Sequence, residues 1–205
     1  MKKAILAFLF AGGLLGASAQ SQHGGVSYGF NAGMSLFNVT NNDGGKSITG
    51  FSGGVYVSLP ISKQVYIQPE LNYQMQGTKA TDISNGGSSY DVKYKMNYLN
   101  LPVLVKYNLP ETNFSIYAGP QLGYLTDSKI DASGYGSYSA RDIMNKVDFA
   151  GVYGLEYYFP INKVNAFTIN ARYSTGFTKI LKSDYTSDDS NGKHKGFTFT
   201  VGLRF

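Results

Sequence analysis

Cysteine is absent from this 205-residue chain. That excludes disulfide frameworks, thiolate metal sites, cysteine nucleophiles and a lipid-anchored N-terminal cysteine. Tryptophan is absent as well, and prolines number only 6. Charge is scarce: Asp, Glu, Lys and Arg make up 15% of the residues, against about 25% in an average soluble domain. No apolar run reaches the ~20 residues that a membrane-spanning helix needs. Mean hydropathy is −0.18, too polar for a helical membrane protein. What the chain has instead is 17 Tyr, 13 Phe and 25 Gly. Few charges, many rings and much glycine point to a β-rich protein in unusual surroundings. The length fits one domain.

The first residues read as an export signal. Met1-Lys2-Lys3 is basic, residues 4–15 are continuously apolar, and Ala17-Ser18-Ala19 supplies small residues for cleavage. The expected boundaries are a signal peptide at 1–19 and a barrel domain at 20–205. Removing Lys2 and Lys3 takes the formal charge from +5 to +3. The remaining lysines are scattered, the densest clusters being Lys93-Tyr94-Lys95 and Lys193-His194-Lys195. An exported protein of this kind is a poor nucleic-acid binder.

Apolar and polar residues alternate with period two along most of the chain. Strands are expected near 26–37, 49–59, 64–77, 93–107, 114–126, 148–159, 166–178 and 196–205. The connections at 60–63, 108–113 and 160–165 are short, and each carries a proline after an apolar strand end: Pro60, Pro110 and Pro160. Those at 38–48, 78–92, 127–147 and 179–195 are long and rich in Gly, Ser, Asn and Asp. Within the third of these, Ile143, Met144 and Val147 suit a helical turn or a strand extension. Short turns alternating with long loops on an even strand count predict an all-β, eight-stranded antiparallel up-and-down transmembrane β-barrel.

Parity separates two faces. One, running from Tyr28, Phe30, Ala32 and Met34 to Val201, Leu203 and Phe205, collects 44 positions and no charge. A basic residue facing lipid at the bilayer midplane costs ~2–4 kcal/mol, which accounts for the exclusion. The other face carries Ser27, Asn31, Tyr56, Tyr66, Gln68, Glu70, Asn72, Gln74, Asn100, Lys106, Tyr117, Gln121, Glu156, Asn170, Arg172, Thr200 and Arg204. A soluble barrel would turn the apolar face inward. The export signal and the sorting of aromatics to both strand ends favour the membrane form. Tyr28, Tyr107, Phe114, Tyr157, Phe159, Phe167 and Phe205 mark the short-turn end. Phe51, Tyr73, Tyr124, Phe149, Phe177 and Phe197 mark the long-loop end. Such rings are interfacial girdles.

Several segments look familiar: Gln68-Pro69-Glu70-Leu71-Asn72-Tyr73, Leu101-Pro102-Val103-Leu104-Val105-Lys106-Tyr107, and Tyr117-Ala118-Gly119-Pro120-Gln121-Leu122-Gly123-Tyr124. Asp148-Phe149-Ala150-Gly151 and the ending Val201-Gly202-Leu203-Arg204-Phe205 add to them. The chain resembles the PorT-like outer-membrane β-barrel family of Bacteroidota, also described as porin family proteins. The resemblance implies an outer-membrane barrel with both ends periplasmic, and Phe205 as an aromatic signal for the barrel-assembly machinery. Some members are linked to protein secretion.

Pro69, Pro102 and Pro120 fall inside strands, where each removes a ladder hydrogen bond; bulges are expected to absorb them. An eight-stranded barrel is just wide enough for side chains to fill it. Glu70, Lys106, Glu156, Arg172 and Arg204 are therefore expected to pair into a lumen charge network. Lys93, Lys95, Lys179 and Lys195 share the outward parity beyond the apolar band and are expected to meet lipopolysaccharide phosphates.

Catalytic and metal chemistry find weaker support. His23 and His194 are the only histidines, and His194 falls in the last long connection with Asp184, Asp188, Asp189 and Ser190. No spacing there is diagnostic of a hydrolase. Asp188-Asp189-Ser190-Asn191-Gly192 lacks the calcium-loop spacing that ends in glutamate. Gly45-Lys46-Ser47 lacks the preceding glycine of a phosphate loop, Thr40 standing there instead. The expectation is a small non-enzymatic, monomeric barrel without cofactor, serving envelope integrity or surface binding. A narrow channel for ions or small solutes is the alternative, and an outer-membrane enzyme the third reading.

Overall fold

The computed structural model describes residues 25–40, 46–85, 88–132, 136–162, 165–182 and 192–205. The signal peptide expected at 1–19, with His23, lies outside them. The elements are β1 (Ser27–Val39), β2 (Lys46–Pro60), β3 (Val65–Asn85), β4 (Ser88–Asn108), β5 (Phe114–Ala132), β6 (Gly136–Ser139), β7 (Val147–Pro160), β8 (Ala166–Gly176) and β9 (His194–Arg204). They order as β4-β3-β2-β1-β9-β8-β7-β5-β6, and a β4–β5 pairing closes the ring. Every pairing is antiparallel. Eight strands thus form a closed barrel, and β6 hangs on β5 above it. Closure leaves no edge in the barrel wall, as a membrane-spanning sheet requires. At the β1–β9 seam, Tyr28 and Phe205 exchange backbone hydrogen bonds of 3.0 and 2.8 Å.

The alternation has the sense that the girdles predicted. Phe51, Val55, Leu101, Val105, Ile116, Leu122, Leu155 and Val201 stand on the outside, each about half exposed. Gln68, Glu70, Asn72, Gln74, Asn100, Lys106, Glu156 and Arg172 are buried inside. Both rims carry touching aromatic rings. Phe114, Tyr157, Phe159 and Phe167 follow one another across β5, β7 and β8 at the short-turn end, with centroids 4.6–6.0 Å apart. Phe149–Phe177 at 5.8 Å and Tyr173–Phe197 at 4.9 Å mark the other end.

Two expectations need correction. The connection at 78–92 is not a long loop: the β3–β4 ladder continues through Lys79↔Lys93 and Ala80↔Val92 to Asn85↔Ser88. β5 likewise runs on to Ala132 and pairs with β6. Apolar alternation stops where the lipid stops, while the backbone ladder does not. The segment after β6 forms a turn at 141–143 and then an isolated bridge, Met144↔Leu181.

The strand prolines are also absorbed differently. The β3–β4 register is the same at Gln68↔Leu104 and Asn72↔Asn100 on either side of Pro102. The β4–β5 register is the same at Leu101↔Leu122 and Val105↔Ala118, across Pro120, and the β2–β3 register at Val55↔Leu71 and Leu59↔Ile67, across Pro69. The ladder drops pairs at each proline and resumes unshifted. The register shifts lie elsewhere, between Ser47 and Ser52, Ala80 and Ile83, and Asn97 and Tyr98. Pro69, Pro102 and Pro120 therefore interrupt one continuous arc of wall across β3, β4 and β5.

Candidate functional site

The lumen is filled in layers, and one of them carries the buried charges. Glu70 on β3 and Arg172 on β8 meet through two parallel hydrogen bonds, Nη1 to Oε2 at 2.8 Å and Nη2 to Oε1 at 3.0 Å. In a ring of eight strands, β3 and β8 are diametrically opposite. Neighbours on β3 complete the carboxylate: Gln68 Nε2 donates to Oε1 at 2.8 Å and Asn72 Nδ2 to Oε2 at 2.7 Å. All three project from one face of β3 because their spacing is two residues.

From Arg172 the network continues. Its Nε donates to the Tyr117 hydroxyl at 3.4 Å, and its guanidinium stands 5.3 Å from the Tyr117 ring centre. Tyr117 donates to Asn170 Oδ1, and Asn170 Nδ2 to Glu156 Oε2 at 3.4 Å. Lys106 Nζ pairs with Glu156 Oε1 and reaches Gln68 Oε1 at 3.4 Å. The circuit Gln68–Glu70–Arg172–Tyr117–Asn170–Glu156–Lys106–Gln68 is closed. Ser58 on β2 adds a bond to Gln68. The four charged side chains are almost wholly shielded, at 0–8% exposure. Two acids balance two bases, so the layer is neutral and its desolvation is offset by charge-assisted bonds. Gly154 makes room for it: a Cβ there would lie 2.7 Å from Tyr117 Cζ.

Arg204 does not join this circuit, which corrects the five-residue expectation. It lies nearer the short-turn mouth, where its guanidinium stacks 4.6 Å over the Tyr158 ring. There it lines a cavity of about 370 Å³ with Ser58, Tyr66, Lys106, Asn108 and Phe205. Depth separates it: Arg204 pairs across the wall with Gly29 and Ala166, while Arg172 pairs with Gly154.

Above the charged layer come amides. Gln74 accepts from Gln76 at 2.9 Å and Asn100 at 3.0 Å, and donates to Thr198 at 2.8 Å. Above these, His194 Nε2 lies 3.0 Å from Asp148 Oδ2, between the rings of Phe37 and Tyr98. His194 was expected in a solvated loop. It is instead the first residue of β9, 1% exposed, its ring turned into the lumen beside Gly176. Asp184, Asp188, Asp189 and Ser190, with the calcium-like run that contains them, lie outside the described residues. The sequence reading named Asp148 only within a family motif, although it shares parity with Glu156 on β7. The long-hairpin mouth is capped by an apolar cluster of Met96, Tyr98, Leu125, Ala140, Met144 and Ile180. Among the described residues, no group of three or more His, Asp or Glu is placed to hold a metal ion.

The four lysines expected at lipid headgroups divide into two places. Lys93 and Lys95 lie on β4, opposite Asp131 and Lys129 of β5. Lys195 lies on β9 opposite Asn38 and Thr175, and Lys179 follows β8. Lys46, from the phosphate-loop look-alike, is a β2 residue paired with Lys79, with no helix after it. Phe205 packs against Tyr28 and Phe30 at centroid distances of 5.8 and 6.1 Å.

A family model described as outer membrane protein beta-barrel domain matches residues 18–182. No curated protein matches the sequence. Among solved structures, Ail, the attachment invasion locus protein of Yersinia pestis, is similar at 18% identity and a TM-score of 0.50, covering 87% of this chain and 98% of that one. Neisserial surface protein A, NspA, is 12% identical at a TM-score of 0.49, covering 87% and 95%. OprG from Pseudomonas aeruginosa is 11% identical at 0.46, covering 89% and 97%. At such identities the likeness is one of fold.

Proposed function

The chain belongs to the family of outer membrane protein beta-barrel domains, and from that premise we propose that it is a non-conducting, non-enzymatic barrel of the outer membrane. Its role is envelope integrity, or presentation of the hairpins that rise beyond the membrane as a binding surface. The observation that carries this reading is the closed circuit through Glu70, Arg172, Tyr117, Glu156 and Lys106. A bidentate bond across the full diameter leaves ions no straight path, and an apolar cap covers the outer end.

Export by cleavage after Ala19, placement in the PorT-like subgroup, a monomeric state and handling of Phe205 by the barrel-assembly machinery complete the proposal. They rest on the N-terminal residue pattern, the strand motifs, the closed wall and the position of Phe205 at the β1–β9 seam. Both chain ends then lie in the periplasm, and the long hairpins outside.

The channel reading draws on the mouth cavity of about 370 Å³ and on buried polar atoms above the circuit, among them Asn100 Oδ1, Gln121 Nε2 and Ser174 Oγ, that lack a protein partner. Single-channel recording of the refolded mature chain in a planar bilayer separates the two. A folded but silent barrel supports the tie. Discrete ion-selective steps altered by Arg172→Ala overturn it in favour of a pore.

A further inference from the structure

We propose that the outer edge of β6 takes up an extended segment of another protein as an added strand. The proposal rests on the reading above, with the hairpins outside as a binding surface, and names the kind of partner they take. β6 stands last in the strand order, and β5 is the neighbour it pairs with. All four of its residues, Gly136–Ser139, are exposed. Next to it, Ala140 N donates to Ser128 O at 3.0 Å, so Ser128 and Ala140 form a hydrogen-bonded pair. Bonded and non-bonded pairs alternate along an antiparallel ladder. Ile130–Tyr138 and Ala132–Gly136 are therefore bonded pairs, and Ser137 and Ser139 turn their N–H and C=O groups away from β5. Among the described residues, no backbone group meets these four.

Exposed edges are ordinarily blunted by lysine, proline or a bulge. Gly136-Ser137-Tyr138-Ser139 carries no charge and no proline, and its register with β5 is unbroken. The edge is also held in shape. Lys95 pairs with Asp131 at 2.7 Å, and Asp131 accepts from the Ser137 hydroxyl. Ala140, buried in the apolar cap, fixes the other end. An incoming backbone thus meets donors and acceptors already at strand spacing, ~6.8 Å apart along the edge. The two faces set the side-chain chemistry. On one, Tyr94, Ile130 and Tyr138 follow one another across β4, β5 and β6, and Tyr94 and Ile130 pack on the cap. On the other, Lys95, Lys129 and Ser139 form one row, and Lys93, Asp131 and Ser137 the next. The added strand therefore alternates apolar residues, set beside Tyr138, with polar ones beside Ser137 and Ser139. Backbone bonds supply the attraction, and the alternation selects the register.

The test uses the refolded mature chain in lipid nanodiscs. The probe is a fluorescein-labelled peptide of alternating valine and threonine with lysine at both ends. A second peptide of the same sequence is N-methylated at every valine and threonine amide, which removes its backbone donors. Fluorescence anisotropy is expected to show the plain peptide bound about tenfold tighter than the methylated one. With the plain peptide added, amide exchange slows at Ser137 and Ser139 and is unchanged at Gly136 and Tyr138, whose N–H groups already face β5. Ser139→Pro removes an outward donor and no bond to β5, so it weakens binding about tenfold while gel mobility, boiled against unboiled, stays that of a folded barrel. Tyr138→Ser weakens it about threefold. Equal binding of both peptides, or no added protection at Ser137 and Ser139 in the unaltered chain, overturns the proposal. A dimer that forms without peptide and dissociates in Ser139→Pro assigns the edge to a second copy and overturns the foreign partner. A barrel that conducts yet takes the peptide refutes the sealed lumen and leaves this edge standing. A silent barrel that leaves Ser137 and Ser139 unprotected overturns the edge alone.

Discussion

Glu70 and Arg172 are 102 residues apart in the chain, yet they join opposite walls of the barrel through hydrogen bonds of 2.8 and 3.0 Å. Each reaches across the lumen from a strand that has three others on either side before the partner strand is met. The pair is therefore a brace between walls as well as a neutralised charge.

Arg172→Ala leaves the Glu70 carboxylate buried and unpaired. Loss of one partner of such a pair costs ~3–5 kcal/mol, and the urea midpoint of refolded barrels should fall accordingly. Replacing both residues by leucine should recover most of that loss. Equal midpoints for wild type and Arg172→Ala would sink the idea of a tie.

Gly154→Ala should weaken the same layer from behind. The added methyl would meet the backbone oxygen of Ala171 on β8 and the Tyr117 ring carbon Cζ, the latter 2.7 Å away, and displace the Tyr117 hydroxyl from Asn170 and Arg172. Overpacking of this kind costs ~1–3 kcal/mol. Tyr117→Phe in the Gly154→Ala background should cost less than the two changes summed, because both act on one bond set.

His194→Ala should open a gap between Phe37 and Tyr98 and remove the imidazole that lies 3.0 Å from Asp148. A loss of about 3 kcal/mol is expected from the missing ring. The same variant tests the enzyme reading. Any lipid or peptide hydrolysis that survives it does not depend on His194.

The β5–β6 hairpin should respond to acid. The hydrogen bond from Lys95 holds the Asp131 carboxyl below its ordinary range, and the Ser137 hydroxyl adds to the effect. The folded value is depressed, so this contact stabilises the hairpin above the ordinary Asp value of about 4 and fades as pH falls through the depressed one. Amide exchange in Gly136–Ser139, corrected for intrinsic rate, should quicken over that acid window. Lys95→Gln should reduce the pH dependence and leave the part that Ser137 supplies; an undiminished dependence in that variant would show that Lys95 is not its source.

The barrel was legible in the sequence because lipid penalises charge on one face of every strand. That pressure writes a period of two from Tyr28 to Phe205. Beyond the girdle it vanishes, so the ladder through Lys79 on β3 and Lys129 on β5 read as loop. The inward charges were also legible by parity, since each stands among polar neighbours on its own strand. Their pairing was not. It depends on depth and on position around the ring, which placed Arg204 on Tyr158 and Lys106 on Glu156. Asp148, the second residue of β7, and His194, the first of β9, were not read as lumen residues because each lies at a strand start, where little or no alternation precedes it.

The arc of wall interrupted by Pro69, Pro102 and Pro120 gives the tube a direction of least stiffness. Elsewhere the ladder resists bending as an unbroken hoop; across β3–β5 it yields first. Lateral pressure from the bilayer would then ovalise the cross-section along the axis through that arc. Glu70 is anchored in the weakened arc and Arg172 in the intact wall facing it. Their bond thus works as a tie rod, loaded whenever the tube is squeezed out of round.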